Sequence, residues 1–365
     1  MSVVRCAAAH IRSLSPYQPG KPISELARET GIAEEDIVKL ASNENPLGMS
    51  PKAREAAIAA LAEGAHYPDG NAFALKKALA EKYGVGPDQL VIGNGSNDIL
   101  DLIARTYLGP GLAAIYAQHA FAVYQIATHT IGATGIEVAA KHFGHDLDAM
   151  AAAITPQTRV IFIANPNNPS GTFLTGAQLE AFLNKVPVDV LVALDEAYTE
   201  YLPPEQRYDA ISWLPRFQNL LVTRTFSKAY GLAGLRVGYA ITHPKIADLL
   251  NRVRAPFNVS NVALAAAEAA LGDDDFIARS AALNHEGMAQ LTAAFADLGL
   301  EWIPSAGNFV TFRAGDAVNI NRFLLDHGMI VRSLAAYDLH QWLRVSIGLP
   351  ADNARFIELL RQALD

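Results

Sequence analysis

Short, almost entirely apolar segments alternate with helix-type segments through the middle of the chain. The residues Val190-Leu-Val-Ala-Leu194 are one example, and the pattern predicts strands at 113–116, 135–138, 160–164, 188–194, 220–225 and 237–241. Continuous apolar strands are typical of a sheet that is covered on both faces, and regular alternation with helices favours parallel pairing. The sequence therefore predicts an α/β fold with a large domain, a mostly parallel sheet, and sites at the carboxyl ends of the strands.

The pattern changes after about residue 255. Long helices are predicted at 261–271 and 275–298, the second broken near Asn284, and short strands and helices follow. These indicate a smaller α+β C-terminal domain. We expect three parts: residues 1–45 as an N-terminal arm packing with the small domain or a partner, 46–255 as the large domain, and 256–365 as the small domain.

Composition narrows the classes of function. The formal net charge of −8 argues against nucleic acid or an anionic membrane as the main partner, because both favour basic surfaces. The single cysteine, Cys6, excludes an intrachain disulfide and a cysteine-rich zinc module. We see no signal peptide and no apolar window of the length that a spanning helix needs, so the expected location is the cytoplasm.

One stretch combines a reactive amine with groups that bind phosphate. A hydroxyl lies beside a lysine in Ser227-Lys228, and Arg236 follows eight positions after the lysine. A lysine that forms an imine needs burial and cationic neighbours to lose its proton. A phosphate needs hydroxyl and N–H donors and an arginine. The stretch predicts a lysine–cofactor site, although such a lysine taken alone is more often a solvated loop residue.

Four polar clusters each follow a predicted apolar strand. They are Gly95-Ser96-Asn97, the segment 165–171, the segment 195–198, and Ser227-Lys228. If the strands are parallel, all four clusters meet at one edge of the sheet. A lone acidic residue or an Asn/Pro turn at a strand end is usually a cap, an ion-pair partner or a tight turn. The prediction of a cofactor site therefore rests on the occurrence of all four clusters together.

The clusters match the chemistry of a phosphorylated pyridine aldehyde. Lys228 would hold it and move protons, and Asp195 would keep the ring nitrogen protonated so that the ring acts as an electron sink. Tyr198 and Asn168 could bind the ring hydroxyl, and Phe121 or Tyr124 could stack on the ring. The predicted phosphate ligands are Ser96, Asn97, Ser227 and Arg236, with Gly95 opening the anion turn.

Competing motifs are weaker. His142 and His145 have loose metal spacing but no third ligand, so no metal site is predicted. Gly231-Leu-Ala-Gly234 lacks the glycine spacing of a dinucleotide fingerprint.

Three segments, 165–171, 195–198 and 225–236, resemble fold-type I pyridoxal-phosphate aminotransferases. Within that group the chain is most similar to the histidinol-phosphate aminotransferases. Supporting motifs are Pro16-Tyr17, Ser42–Gly48, Tyr67–Gly70, Asn308-Phe309 and Arg344–Gly348. The resemblance spans about residues 16–360. It implies pyridoxal 5'-phosphate (PLP) as the cofactor, with Lys228, Asp195 and Tyr198 as the catalytic residues.

The resemblance also implies a shared site and a substrate. Tyr67 resembles a tyrosine that reaches the cofactor phosphate of the partner subunit, which implies a homodimer. Arg344 resembles the arginine that binds the substrate anion, and Arg332 is expected to bind a substrate phosphate. Tyr17 and Asn43 resemble residues on the substrate side of the arm.

The expected reaction is transamination between L-histidinol phosphate and 2-oxoglutarate in histidine biosynthesis. Three departures from the family pattern, at Phe121, Ser170 and Leu349, leave the substrate preference open. The alternatives are an aromatic amino-acid aminotransferase and a phosphothreonine decarboxylase of cobalamin synthesis. A non-catalytic DNA-binding regulator is disfavoured, because only about 40 residues precede the α/β domain and the chain is acidic.

Overall fold

The computed structural model describes residues 2–364. In chain order the α helices are α1 Ser2–Cys6, α2 Ala9–Arg12, α3 Ile23–Thr30, α4 Pro51–Ala60, α5 Phe73–Tyr83, α6 Ser96–Tyr107, α7 Ala122–Thr130, α8 Leu147–Ala152, α9 Gly176–Leu183, α10 Pro244–Val253, α11 Asn261–Leu271, α12 Asp274–Asp297, α13 Ala317–Asp326 and α14 Pro350–Leu364. The strands are β1 Val38–Lys39, β2 Leu90–Gly93, β3 Ala113–Ala117, β4 Thr134–Val138, β5 Thr158–Ala164, β6 Leu191–Asp195, β7 Leu220–Thr225, β8 Gly238–Thr242, β9 Trp302–Ile303, β10 Phe309–Arg313, β11 Met329–Ile330, β12 Arg332–Ser333 and β13 Trp342–Ser346.

The large sheet has the predicted mostly parallel pairing. Its seven strands lie in the order β2-β8-β7-β6-β5-β3-β4, and only β8 is antiparallel to its neighbours. Every residue of β2, β3, β6, β7 and β8 is buried, which agrees with a sheet covered on both faces. The strand predicted at 188–194 begins only at Leu191, because Val188 is exposed in the turn that Pro187 and Val190 close.

The second sheet lies in the C-terminal part, as the sequence predicted. Its order is β12-β13-β10-β9 with antiparallel pairing, and α12, α13 and α14 contribute to its core. Phe295 stacks on Phe312 inside that core, with ring centroids 4.7 Å apart. Helix α12 is continuous, so the predicted break near Asn284 is wrong. The buried Asn284 side chain donates from Nδ2 to Gly307 O at 3.1 Å, so its amide N–H group has a partner while the helix continues.

Two segments do not follow the simple division of the chain into an N-terminal large unit and a C-terminal small unit. Helix α11 packs on α4, and its Ala263, Ala266 and Ala267 belong to the core of the large sheet. Near the N-terminus, β1 pairs in parallel with β11, so the segment after α3 joins the small unit. We propose that the domain boundary lies near Gly272 rather than at 255–256, because α11 buries its alanine face against the large domain.

No helix within residues 2–364 combines the length and the apolar character that crossing a membrane requires.

Candidate active site

The carboxyl ends of four strands meet at one edge of the large sheet. Gly93 at the end of β2 and Thr225 at the end of β7 both pair with Gly238 of β8. Asp195 at the end of β6 pairs with Ala164 of β5 and with Thr223 of β7. The predicted convergence of the four polar clusters is therefore confirmed.

A cavity of about 260 Å³ opens at this edge, between the large sheet and the C-terminal part. Most of the residues predicted as site residues line it, namely Tyr17, Asn43, Ser96, Asn97, Phe121, Asn168, Asp195, Tyr198, Ser227, Lys228, Arg236, Arg332 and Arg344. Gly95 and Tyr67 do not line it. Gly95 precedes Ser96 in the turn that leads into α6, whereas Tyr67 lies on a different surface.

Lys228 follows β7 and projects its amine into the cavity. Its Nζ donates to Ser42 O at 3.2 Å. Burial, together with the positive charges of Arg344 and Arg236, lowers the pKa of Lys228 from 10.5 to about 8. The negative charge of Glu44 opposes this shift. The neutral fraction of the amine near physiological pH is therefore far larger than that of an ordinary lysine, which favours its action as a nucleophile or a base.

Asp195 lies deep in the cavity, and its two carboxylate oxygens have different surroundings. Its Oδ2 accepts a hydrogen bond from the Tyr124 hydroxyl at 2.8 Å, whereas Oδ1 is buried and has no partner among the described residues. Burial raises the pKa of this carboxyl to about 6, although Tyr124 and the charge of Lys228 act in the opposite direction. An acid held in this way is a counter-charge for a cationic group placed in the cavity.

Sequence reasoning offered Tyr124 as one of two stacking candidates and did not find its bond to Asp195. Tyr124 is fully buried, and its ring lies parallel to Phe162, with centroids 4.9 Å apart. Phe121 lines the cavity and meets Tyr124 edge-on at 5.8 Å. Tyr124 also lines the cavity but is fully buried, so Phe121 is the more accessible of the two rings, and Tyr124 supports the acid.

One end of the cavity is built for an anion. Gly95 has φ of 78°, and a Cβ there would collide with the Arg236 guanidinium, so the close approach requires glycine. The N–H groups of the first turn of α6 have no partner within the helix. Arg236 Nη1 donates to Ser227 Oγ at 3.3 Å and to Ala233 O at 3.0 Å. N–H groups, hydroxyls and a guanidinium together form a phosphate-binding donor set.

A second cationic region lies on the small-sheet side. Arg344 of β13 is buried, donates to Ala41 O at 2.9 Å and also donates to Asn168 Oδ1. Arg332 of β12 is its partner in the strand register, and its guanidinium lies 5.7 Å from the centroid of the Tyr17 ring. The cavity thus has a lysine and an acid between two separate anion-binding regions.

Tyr67 does not meet the cavity of its own chain. It is 83% exposed and stacks on Phe257 with ring centroids 4.8 Å apart. Other large apolar side chains on α4, the turn after it and α5 are exposed as well, namely Ile58, Leu61 and Phe73.

Two further features lie near the site without forming part of the cavity. Glu196, adjacent to Asp195, forms a buried ion pair with Arg224, with 2.7 Å between Nη2 and Oε2. His145, a weak metal candidate in the sequence, is buried with its Nε2 at 3.0 Å from Ala164 O. It borders a larger cleft of about 900 Å³, and of the strand-end clusters only Gly171, the last residue of the segment 165–171, lines that cleft.

Three residues near the site were not predicted individually as site residues from the sequence. Tyr337 and Glu44 line the cavity, and Ser42 supplies the carbonyl that accepts from Lys228. Ser42 and Glu44 lie within the 42–48 motif, so that motif was the available signal for them. Tyr337 lies between β12 and β13, and no local pattern marks it.

The fold and this site are those of an aminotransferase. The chain matches the aminotransferase class I and II family over residues 35–360 and belongs to that family. It is 63% identical to histidinol-phosphate aminotransferase 1 of Thiobacillus denitrificans, over 98% of this chain and 94% of that protein. It is 61% identical to histidinol-phosphate aminotransferase of Methylobacillus flagellatus, over 98% of this chain and 97% of that protein.

A solved structure has the same fold. The histidinol-phosphate aminotransferase of Sinorhizobium meliloti, in complex with pyridoxal-5'-phosphate, matches with a TM-score of 0.90 and 29% identity. The match covers 98% of this chain and 96% of that chain.

Proposed function

We propose that this chain is a PLP-dependent aminotransferase that transfers an amino group between L-histidinol phosphate and 2-oxoglutarate in histidine biosynthesis. The observation that carries the proposal is the placement of Lys228, whose pKa is lowered to about 8, between two anion-binding regions of one cavity. The names of the relatives above 60% identity support the choice of substrate. We also propose a cytoplasmic location, since Cys6 is an exposed free thiol.

The residues present fit PLP. The phosphate would bind at the turn of Ser96 and Asn97 with Ser227 and Arg236, where the donors converge. The buried, unpartnered Oδ1 of Asp195 would bind the ring nitrogen. When bound, PLP supplies an electron sink that stabilises negative charge at the substrate carbon.

The chain's own groups do the positioning and the proton transfer. Lys228 would take the proton from the amine-bearing carbon of the substrate and deliver it to the cofactor, because its amine is buried and readily loses its charge. The Oδ1 atom of Asn168 accepts from Arg344, which leaves the Asn168 Nδ2 group to donate into the cavity. Tyr198, whose pKa burial raises to about 12, stays protonated and is a second donor.

Arg344 and Arg332 would hold the anionic end of both substrates. Histidinol phosphate carries a phosphate there and 2-oxoglutarate a carboxylate, and two guanidiniums at neighbouring register positions can bind either group. Tyr17 would close this region from the arm, where its ring already contacts Arg332.

The half-reaction of the holoenzyme with each candidate amino donor identifies the substrate. We expect histidinol phosphate to convert the holoenzyme to its amino form in single-turnover experiments followed by absorbance, and 2-oxoglutarate to restore it. Phenylalanine and phosphothreonine are the comparison donors. The proposal fails if phenylalanine reacts and histidinol phosphate does not, or if phosphothreonine releases carbon dioxide. Sequence-specific DNA binding without transamination would instead support a regulator.

We further propose a homodimer in which Tyr67 completes the site of the partner subunit. Tyr67 is 83% exposed beside Phe257, and apolar side chains at Ile58, Leu61 and Phe73 are exposed on neighbouring elements. Exposed aromatic and apolar side chains of this kind are typical of a subunit interface.

Mixing two variants tests this arrangement. Tyr67→Ala and Lys228→Ala are expected to be poorly active alone and to recover activity when subunits are exchanged. In the mixed dimer, one site has both an intact Lys228 and an intact Tyr67 only if Tyr67 crosses between subunits. No recovery in mixtures that sedimentation shows to be hybrid dimers would contradict the shared site, and a monomer in sedimentation would contradict the dimer.

A further inference from the structure

Three consecutive residues of the arm, 41–43, bind three groups of the cavity. Ala41 O accepts from Arg344 at 2.9 Å, and Ser42 O accepts from Lys228 at 3.2 Å. Asn43 Nδ2 donates to the Tyr198 hydroxyl at 3.0 Å. Because the three contacts come from adjacent residues, a shift of this segment would move all three partners.

Asn43 is held by both polar atoms of its side-chain amide, Nδ2 and Oδ1, and by its backbone N–H and C=O groups. It is 1% exposed and has φ of 55°, a left-handed conformation that asparagine tolerates better than most residues. Its backbone N–H donates to Ser346 Oγ at 2.8 Å, and Ser346 Oγ donates back to Asn43 Oδ1 at 2.9 Å. Asn308 Nδ2 donates to Asn43 O at 3.0 Å.

These bonds change the interpretation of Asn43 as a substrate ligand. Its Oδ1 atom is already occupied by Ser346, and its Nδ2 group is directed at Tyr198. The hydroxyl oxygen of Tyr198 accepts that bond, so the hydroxyl hydrogen of Tyr198 is left to point to another acceptor. Tyr198 lines the cavity, where such an acceptor would be bound.

We propose that Asn43 is a positioning residue that orients the Tyr198 hydroxyl towards the cofactor and ties it to the small sheet through Ser346. Its effect on the reaction passes through Tyr198 rather than through contact with the substrate. The inference rests on the proposed PLP site, but it does not depend on which amino donor the enzyme uses.

A double-mutant cycle tests the proposal. Asn43→Gly removes the amide and still permits the left-handed conformation, so the backbone is not strained. In the wild-type background we expect kcat to fall about tenfold, the order expected for one lost hydrogen bond in a buried site, with less than about a twofold change in KM. In a Tyr198→Phe background the same change is expected to have almost no further effect.

The absorbance of the holoenzyme gives a second readout that needs no substrate. The pH midpoint of the cofactor band reports the protonation state at Lys228, whose charged neighbours are Arg344, Arg236, Glu44 and Asp195. We expect Asn43→Gly to move this midpoint by about half a unit in the wild-type background, and expect the same substitution to cause no such movement in the Tyr198→Phe background. If the amino donor proves to be another compound, this cycle still decides the role of Asn43.

Asn45 provides the matched control. It is a buried asparagine two positions along, and it donates to Ala229 O and Ser280 Oγ, both at 2.8 Å, without lining the cavity. Asn45→Gly should change kcat by the same factor in the wild-type and the Tyr198→Phe backgrounds. The proposal is overturned if Asn43→Gly also behaves additively, or if it raises KM equally with and without the Tyr198 hydroxyl.

Discussion

Lys228→Ala is expected to abolish transamination and the absorbance band at about 400–430 nm that a lysine-bound pyridine aldehyde gives. In the proposed site, Lys228 would contribute an amine that both attaches the cofactor and transfers the proton, and general acid–base catalysis alone is worth up to about 10⁴-fold. We therefore expect a loss of turnover on the order of 10⁴-fold or more. Spectra of the purified variant with added PLP, and single-turnover rates, measure both effects.

The pH dependence of cofactor attachment is the quantitative part of this prediction. Burial and the charge of Arg344 lower the pKa of Lys228 to about 8, so the neutral, reactive fraction of the amine rises as pH increases through that value. An ordinary lysine would react with a midpoint near 10.5. The rate at which PLP attaches to the cofactor-free chain, followed by absorbance across this range, shows which midpoint applies.

Lys82 is a suitable control because its amine also donates to a backbone carbonyl, Leu271 O at 3.1 Å, far from the cavity lining. Lys82→Ala should retain the band and the rate. Normal PLP binding and turnover in Lys228→Ala would refute the assignment of this lysine and, with it, the proposed site.

The groups at the strand ends were predictable because each one follows a conspicuous apolar strand. Burial of both sheet faces requires continuous runs such as that of β6, and parallel pairing then places the following residues at one edge. Asp195 and Lys228 could be placed at that edge without any knowledge of their contacts. Their roles remain predictions that the substitutions proposed here test.

Contacts between distant parts of the chain could not be predicted in the same way. Asn43 and Ser346 are 303 residues apart, and nothing local in either segment indicates the other. Tyr124 of α7 reaches Asp195 of β6 and stacks on Phe162 of β5, contacts that depend on how the helix lies on the folded sheet. Helix α11 is so rich in alanine that its sequence does not show which domain its buried face meets.

The same long-range packing explains the error at Asn284. A polar residue in the middle of a long helix usually disfavours burial, and the sequence pattern therefore indicated a break. The loop before β10 supplies Gly307 O as an acceptor, and α12 continues through the position. A buried polar group is tolerated wherever the tertiary structure provides its partner, which a local pattern cannot show.

Asp195→Asn is the second substitution with a large expected effect. In the proposed site the carboxylate would be the counter-charge for the protonated ring nitrogen, and an amide of the same shape lacks that charge. Loss of one such electrostatic group in a buried site costs about 10²–10³-fold in kcat. We expect a loss of this size, measured by single-turnover kinetics, together with weaker PLP binding measured by titration of the cofactor-free chain.

Tyr124→Phe separates the charge of Asp195 from its orientation. This variant keeps the ring that stacks on Phe162 and removes only the hydroxyl that donates to Asp195 at 2.8 Å. We expect a fall of about tenfold, between the wild type and Asp195→Asn, because the acid remains but loses a donor that stabilises its charged form. Tyr239→Phe removes another buried tyrosine hydroxyl, bonded to Tyr83 at 2.7 Å outside the cavity, and is the control. Equal activity of Asp195→Asn and the wild type would show that this carboxylate has no part in the reaction.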